Sequence, residues 1–383
     1  VTPDAAVSPA DLRFRLAALW VLAALLALTA VGEGFVIARS QPLGLDFLPM
    51  WTAARDVLAG RSDLYDFAAI TGRQGWLIEA RGVVRPFVYP PSALLLFAPF
   101  GLLPFGAAYP LWTLTTALLC AALIARFAPA RPVLAAVLAL VLSPCATVLL
   151  VGQTTFLITA MTLLAVVWLK ARPIAAGVLL GLAAAIKPQV MVLAPLALIG
   201  GGHWRALLAA GVTGALTGLA SLAAFGPQLW FDWLAALPRF SALVRDHEGL
   251  LPGALTPTGL AQQLGLDGLV LGAWRGAFAL IGAALVVMTF RRTDDPARRL
   301  AALIGGGLMV TPYAIFYDAA LFAPAAIWLA LGSLDRPRWI GGFIGLLLLT
   351  VATLPWLGAI GALAFIALAL SPVFLTGRRF SLS

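Results

Sequence analysis

Charge is scarce in this sequence. Asp, Glu, Lys and Arg make up 11% of its 383 residues, against about 25% in an average soluble domain. That is too little to clothe a globule in a water-facing surface, so a soluble fold is excluded. Cysteine is nearly absent too. Cys120 and Cys145 both sit inside apolar runs, which excludes a disulfide framework and a cysteine zinc site. Long polar tracts, internal repeats and low-complexity segments are also missing, so residues 1–383 read as a single domain.

What is present is apolar. Hydrophobic residues are 62% of the chain, mean hydropathy is +1.00, and the stretch 132–169 holds no charge. A bilayer core takes about 20 apolar residues per helical crossing. The expectation is therefore an all-α polytopic membrane protein with about 12 transmembrane helices. The net charge of +9 does not signal nucleic acid, because Lys and Arg gather in short turns between apolar runs, as in membrane proteins that keep basic loops inside.

Those turns set the predicted topology. The run 14–37 reads as a retained first span with its N-terminus in the cytoplasm; it is too long for a signal-peptide core. Basic turns at 126–131, 170–172, 203–205, 291–299, 335–338 and 378–379 then lie inside. The chain must go out and return between them, with turns near Gly152 and Gln153, at Lys187-Pro188, over 311–318, and at 354–356. Residues 92–103, bounded by prolines, read as a half-helix. Two outer loops remain, 38–91 and 226–258. In the first, Phe47, Leu48, Met50, Trp51, Val57 and Leu58 recur at helical spacing, predicting amphipathic helices on the membrane surface. In the second, Leu229, Trp230, Trp233, Leu234 and Leu237 predict a helix with its aromatic face on lipid. The glycine pairs Gly177/Gly181, Gly214/Gly218 and Gly341/Gly345 suit close helix packing.

This topology brings six stretches to the outer end: Asp46, Arg85 with Tyr89, Gln153, Lys187, the loop 239–248 carrying His247, and the segment with Tyr313, Tyr317 and Asp318. Polar groups at membrane depth are costly and mark function. Each also has a bland reading. Asp46 suits an N-cap of a helix starting at Phe47. Lys187 suits a lone snorkelling cation. Gln153 suits a turn, Arg85 and Tyr89 suit interfacial anchors, His247 a solvated loop, and Asp318 a cap or an Arg partner. Paired outer loops with interfacial helices suit a site that takes a lipid from the bilayer and a polar partner from water.

The motifs themselves are familiar. Leu45-Asp46-Phe47-Leu48-Pro49-Met50-Trp51-Thr52-Ala53-Ala54, Leu58-Ala59-Gly60, Leu64-Tyr65, Phe87-Val88-Tyr89-Pro90-Pro91, Gly152-Gln153, the stretch from Ala176-Gly177 to Lys187-Pro188, and Thr311-Pro312-Tyr313 follow one another in an order that resembles glycosyltransferase family 87. That family holds polyprenyl-phosphate-mannose-dependent mannosyltransferases of GT-C architecture, among them mycobacterial phosphatidylinositol-mannoside mannosyltransferases. The resemblance implies a GT-C bundle with a catalytic carboxylate in the first outer loop, matched here by Asp46, acting as general base on the acceptor hydroxyl. It implies a sugar, expected to be mannose, carried on a polyprenyl phosphate and transferred with inversion to a lipid or glycan acceptor. The leaving phosphate calls for cations, and Lys187 and Arg85 are the candidates. Tyr89, Gln153, His247, Tyr313, Tyr317 and Asp318 are candidates for contacts to substrate. No Asp-x-Asp pattern stands out, so neither a metal nor another cofactor is expected. The expected partners are the donor, the acceptor and membrane lipids, with no nucleic acid. The expected place is a bacterial inner membrane, with the site facing the periplasm or exterior. The rival is a transporter or lipid flippase, which an inverted repeat with ions at mid-membrane would favour. The sequence offers one broken helix, at Lys187-Pro188, and no repeat.

Overall fold

The computed structural model describes residues 7–40, 42–75, 85–246, 250–336 and 338–371. Among these residues the fold is helical throughout, without a strand. In chain order come α1 (Pro9–Ser40), α2 (Phe47–Leu58), α3 (Phe67–Gln74), α4 (Leu94–Gly101), α5 (Phe105–Arg126), α6 (Pro132–Val141), α7 (Ser143–Val151), α8 (Thr155–Trp168), α9 (Pro173–Ile186), α10 (Pro188–Met191), α11 (Ala194–Gly200) and α12 (Trp204–Phe225). There follow α13 (Gln228–Asp246), α14 (Pro257–Gln263), α15 (Gly268–Arg292), α16 (Pro296–Val310), α17 (Ala323–Gly332), α18 (Trp339–Val351) and α19 (Gly358–Leu370). A 3-10 segment, Phe316–Phe322, feeds α17.

Proline punctuates this order. Pro132, Pro173, Pro188, Pro257 and Pro296 each open a helix. Proline lacks an N–H, which the first helical turn does not need, and its φ is already helical. The same residues cut the apolar runs into pieces. Four helices, α1, α5, α12 and α15, are long and apolar enough to cross a bilayer, and α6 with α7 makes a further candidate bent by 61°. The remaining apolar helices are shorter. The expected count of about 12 full crossings is therefore not reproduced among the described residues: a uniform run in sequence becomes short, broken helices wherever proline removes a hydrogen bond.

Burial sorts the helices. The helix α16 is central: Pro296 through Met309 are all buried, packed against α15, α17, α19, α8 and α10. By contrast α12 and α15 expose Leu208, Val212, Leu216, Leu219, Val270 and Leu280, a surface suited to lipid rather than water. Three of the basic turns meet: Lys170 pairs with Asp294, which also holds Arg299 at 2.8 Å, and Arg299 lies 3.3 Å from His203 Nε2.

Two expectations change. The apolar face of α2 meets protein. Phe47 through Ala54 are all buried, because α4 and α5 cover the face that was expected to meet lipid. Of the glycine pairs, only the first is a close helix contact throughout. A Cβ on Gly177 would lie 2.2 Å from Ala206 O, and one on Gly181 would lie 2.6 Å from Ala210 O, whereas Gly214 and Gly218 face open space. A Cβ on Gly345 would make only ordinary contact with the Phe365 ring, at 3.4 Å.

Candidate active site

The site begins with two glycines that let two turns touch. Gly44 has φ +84° and Gly152 has φ +76°, the left-handed region that side chains resist. The Gly44 N–H donates to Leu150 O at 2.8 Å, and the Asp46 N–H donates to Val151 O at 2.9 Å. A Cβ on Gly152 would sit 2.7 Å from the Phe47 Cβ, and one on Gly44 would sit 2.5 Å from the Tyr109 ring. Aromatic groups close the joint. Phe47 stacks on Trp112 with centroids 5.8 Å apart, Trp112 Nε1 donates to Gly152 O, and the Tyr109 hydroxyl donates to Leu149 O at 2.6 Å. The start of α2 is thus seated against the end of α7, and Asp46 beside Gln153.

Asp46 occupies the N-cap position of α2, yet its side chain makes no cap hydrogen bond. Its carboxylate accepts instead from Gln153 Nε2 at 3.2 Å. Burial pushes its pKa above the ordinary carboxylate value. A hydrogen bond from Tyr317 and the charges of Arg85 and Lys187 act the other way. No cation lies within ion-pair distance of it among the described residues.

Asp318 is placed differently. It forms an ion pair with Lys187, both about 5% exposed. It also accepts from Thr155 Oγ1 at 3.2 Å and from the Ile315 N–H. Lys187 sits in the break between α9 and α10, at φ −135°, since Pro188 bars it from the helical region. Its ammonium lies 6.0 Å from the Tyr317 ring centre. It is therefore neither a lone cation nor a snorkelling one. The Arg85 guanidinium is in the opposite condition: its Nε is buried without a hydrogen-bond partner among the described residues.

These groups share one cavity of about 810 Å³. Asp46, Arg85, Tyr89, Gln153, Lys187, Tyr313, Tyr317 and Asp318 all line it, so the structure brings together every candidate it describes. His247 lies outside the described residues. The Tyr89 hydroxyl donates to Gln153 Oε1 and lies 3.1 Å from Thr154 Oγ1. Tyr313 packs edge-on against Phe240 at 4.7 Å. The second loop is tied in by the Leu255 N–H, which donates to Ala314 O at 2.9 Å.

One wall corrects an expectation. Trp233, Leu234 and Leu237 of α13 line the cavity rather than only facing lipid, together with Phe240 and Leu243. Trp233 Nε1 donates to Val88 O at 3.1 Å, so that ring is committed to the protein. Sequence reasoning missed Phe240, and it missed Thr154 and Thr155, which hold Gln153 and Asp318. Nothing marks those threonines except their adjacency to Gln153. Among the described residues no cluster of His, Cys, Asp or Glu is arranged to hold a metal ion.

The cavity thus joins a carboxylate with no cation partner among the described residues, a guanidinium whose buried Nε has no hydrogen-bond partner among them, an ion-paired lysine and an apolar wall. That combination suits transfer chemistry on a lipid that carries an anionic headgroup. Comparison with known proteins points the same way. The family model described as glycosyltransferase family 87 matches residues 87–312, which include Tyr89, Gln153 and Lys187. A polyprenol-phosphate-mannose-dependent alpha-(1-2)-phosphatidylinositol pentamannoside mannosyltransferase from Mycolicibacterium smegmatis is 26% identical, over 82% of this chain and 77% of the relative. No solved structure matches.

Proposed function

This chain belongs to glycosyltransferase family 87, and from that premise we propose that it moves mannose from a polyprenyl-phosphate donor to an acceptor hydroxyl, with inversion, at the outer face of a bacterial inner membrane. Membership removes the transporter or flippase reading. The observation that carries the mechanism is the contrast between two carboxylates in one cavity. Asp318 is committed to Lys187, Thr155 and the Ile315 N–H. Asp46 has no cation partner among the described residues and lines the open space.

In this mechanism Asp46 takes the proton of the acceptor hydroxyl as its oxygen attacks the anomeric carbon. The bond from that carbon to the phosphate oxygen breaks, and the polyprenyl phosphate leaves from the opposite face. Burial suits Asp46 to this, because a base whose pKa lies nearer the working pH holds a transferred proton better. The Arg85 guanidinium, which lines the cavity, offers hydrogen bonds to the departing phosphate, and Lys187 adds charge beside it. The wall made by Trp233, Leu237 and Phe240 receives the first isoprenes of the donor. The acceptor is a lipid or glycan; the relative's own is a phosphatidylinositol mannoside.

Membranes containing the protein, supplied with polyprenyl-phosphate mannose labelled in the sugar, should yield a labelled glycolipid or glycan of inverted anomeric configuration. Label that stays on the donor, or a product with retained configuration, overturns the reading. The same membranes test orientation. Cys120 and Cys145 are buried, so thiols introduced at exposed positions are read cleanly. Cysteine at Arg61 or Arg245 should react with an impermeant reagent from the outside of intact cells, and cysteine at Arg172 or Arg205 should not. Outside labelling at position 205 reverses the proposed topology.

A further inference from the structure

Gln153 was expected to contact substrate, yet its side chain has no capacity left for one. The Thr154 backbone N–H donates to its Oε1 at 2.8 Å. A backbone N–H can only donate, so that end of the carboxamide must be oxygen. The Tyr89 hydroxyl donates to the same oxygen. The two protons on Nε2 are then aimed the other way, to Asp46 Oδ2 at 3.2 Å and to the Tyr317 hydroxyl oxygen at 3.1 Å. Since the Tyr317 oxygen accepts from Gln153, its own proton must turn away from that amide. The donor that reaches the Asp46 carboxylate and the orientation of the Tyr317 hydroxyl therefore depend on one amide. That amide is itself held by the turn after Gly152.

We infer that Gln153 is the positioning residue of the base: its carboxamide, oriented by Thr154 and Tyr89, holds the Asp46 carboxylate and the Tyr317 hydroxyl in one arrangement at the cavity wall. The inference rests on the transferase reading for its kinetic consequence, but not for its geometry.

Hydrogen bonds to a carboxylate favour its ionised form. The other groups facing Asp46 are Arg85 and Lys187, both cationic, and Tyr317, with Tyr89 and Asp318 beyond Gln153. Removing the amide therefore raises the pH at which Asp46 loses its charge. Gln153→Met keeps the chain length and deletes both donors. It should lower kcat at neutral pH by about tenfold and move the acid limb of the pH–rate profile up by about one pH unit, with the donor KM unchanged. Gln153→Glu keeps an acceptor for Thr154 and sets a second carboxylate beside the first, so its shift should be larger.

Carbodiimide labelling of Asp46 against pH, mapped by peptide mass spectrometry on folded protein, reads the same shift without transfer. Its midpoint should rise in both variants, and if the Met variant unfolds the Glu variant carries the test. A midpoint that stays at the wild-type pH overturns the inference. So does a raised KM with an unmoved pH profile, which is the signature of a substrate contact. Failure of the transferase reading looks different: the wild type then moves no mannose, while the labelling midpoint still decides the role of Gln153.

Discussion

Asp46→Asn is expected to stop sugar transfer, by about 10²- to 10⁴-fold, in a protein that folds at least as well as the wild type. The amide keeps an acceptor for Gln153 Nε2 and cannot take a proton. No capping bond is lost, because Asp46 makes none. Stability should even rise. The folded-state pKa of Asp46 is raised by burial, so its ionised form disfavours the fold once the pH exceeds the ordinary carboxylate value of about 3.9. Below that pH both folded and unfolded chains hold the proton, and the group makes no difference. The melting temperature of the Asn variant should thus exceed that of the wild type at neutral pH and converge with it in acid. Donor binding should persist. Transfer at the wild-type rate by this variant would remove Asp46 from the mechanism.

Lys187→Met gives the second large effect, and the structure changes its form. Read as a lone lysine, position 187 tolerates methionine without loss of fold. Paired with Asp318 in the interior, it does not: the substitution strands a buried carboxylate, a change that costs about 3–5 kcal/mol. The single variant should be poorly folded and inactive, which by itself says nothing about chemistry. Lys187→Met combined with Asp318→Asn removes both charges, and such neutral replacements of a buried pair restore stability. If the double variant melts near the wild type and transfers no sugar, the ammonium acts on the phosphate. Wild-type turnover by the double variant would reduce the pair to a structural strut. Lys187→Arg should fall between, since a planar fork replaces a point charge.

How much of this was legible in sequence differs from residue to residue. The breaks at Gly152-Gln153, Lys187-Pro188 and 311–318 were legible, because glycine and proline act on their own backbone and need no partner. The convergence of the polar stretches was legible as well, since the positions of the turns place them at a common end. The lipid-facing side of α13 was misjudged. Trp233 and Leu237 have the spacing of a membrane-surface helix, and a cavity wall shows the same spacing. The burial of α2 was missed for a related reason: an amphipathic pattern says that one face is covered, not by what.

The sequence by itself determined that this is a helical, strongly apolar chain, where several of its helices break, and which polar residues stand at those breaks. Those properties follow from composition and from backbone limits that act within a few residues. Only the tertiary structure decided the pairings. Gln153 meets Asp46 across 107 residues of chain, and Lys187 meets Asp318 across 131. A carboxylate's role depends on what touches it, so two aspartates alike in sequence become a buried half of an ion pair and a carboxylate with no cation partner among the described residues. That difference arises only when α2, α7, the break before α10 and the segment before α17 are packed around one cavity, because side-chain contacts at such separations are set by packing and not by local propensity.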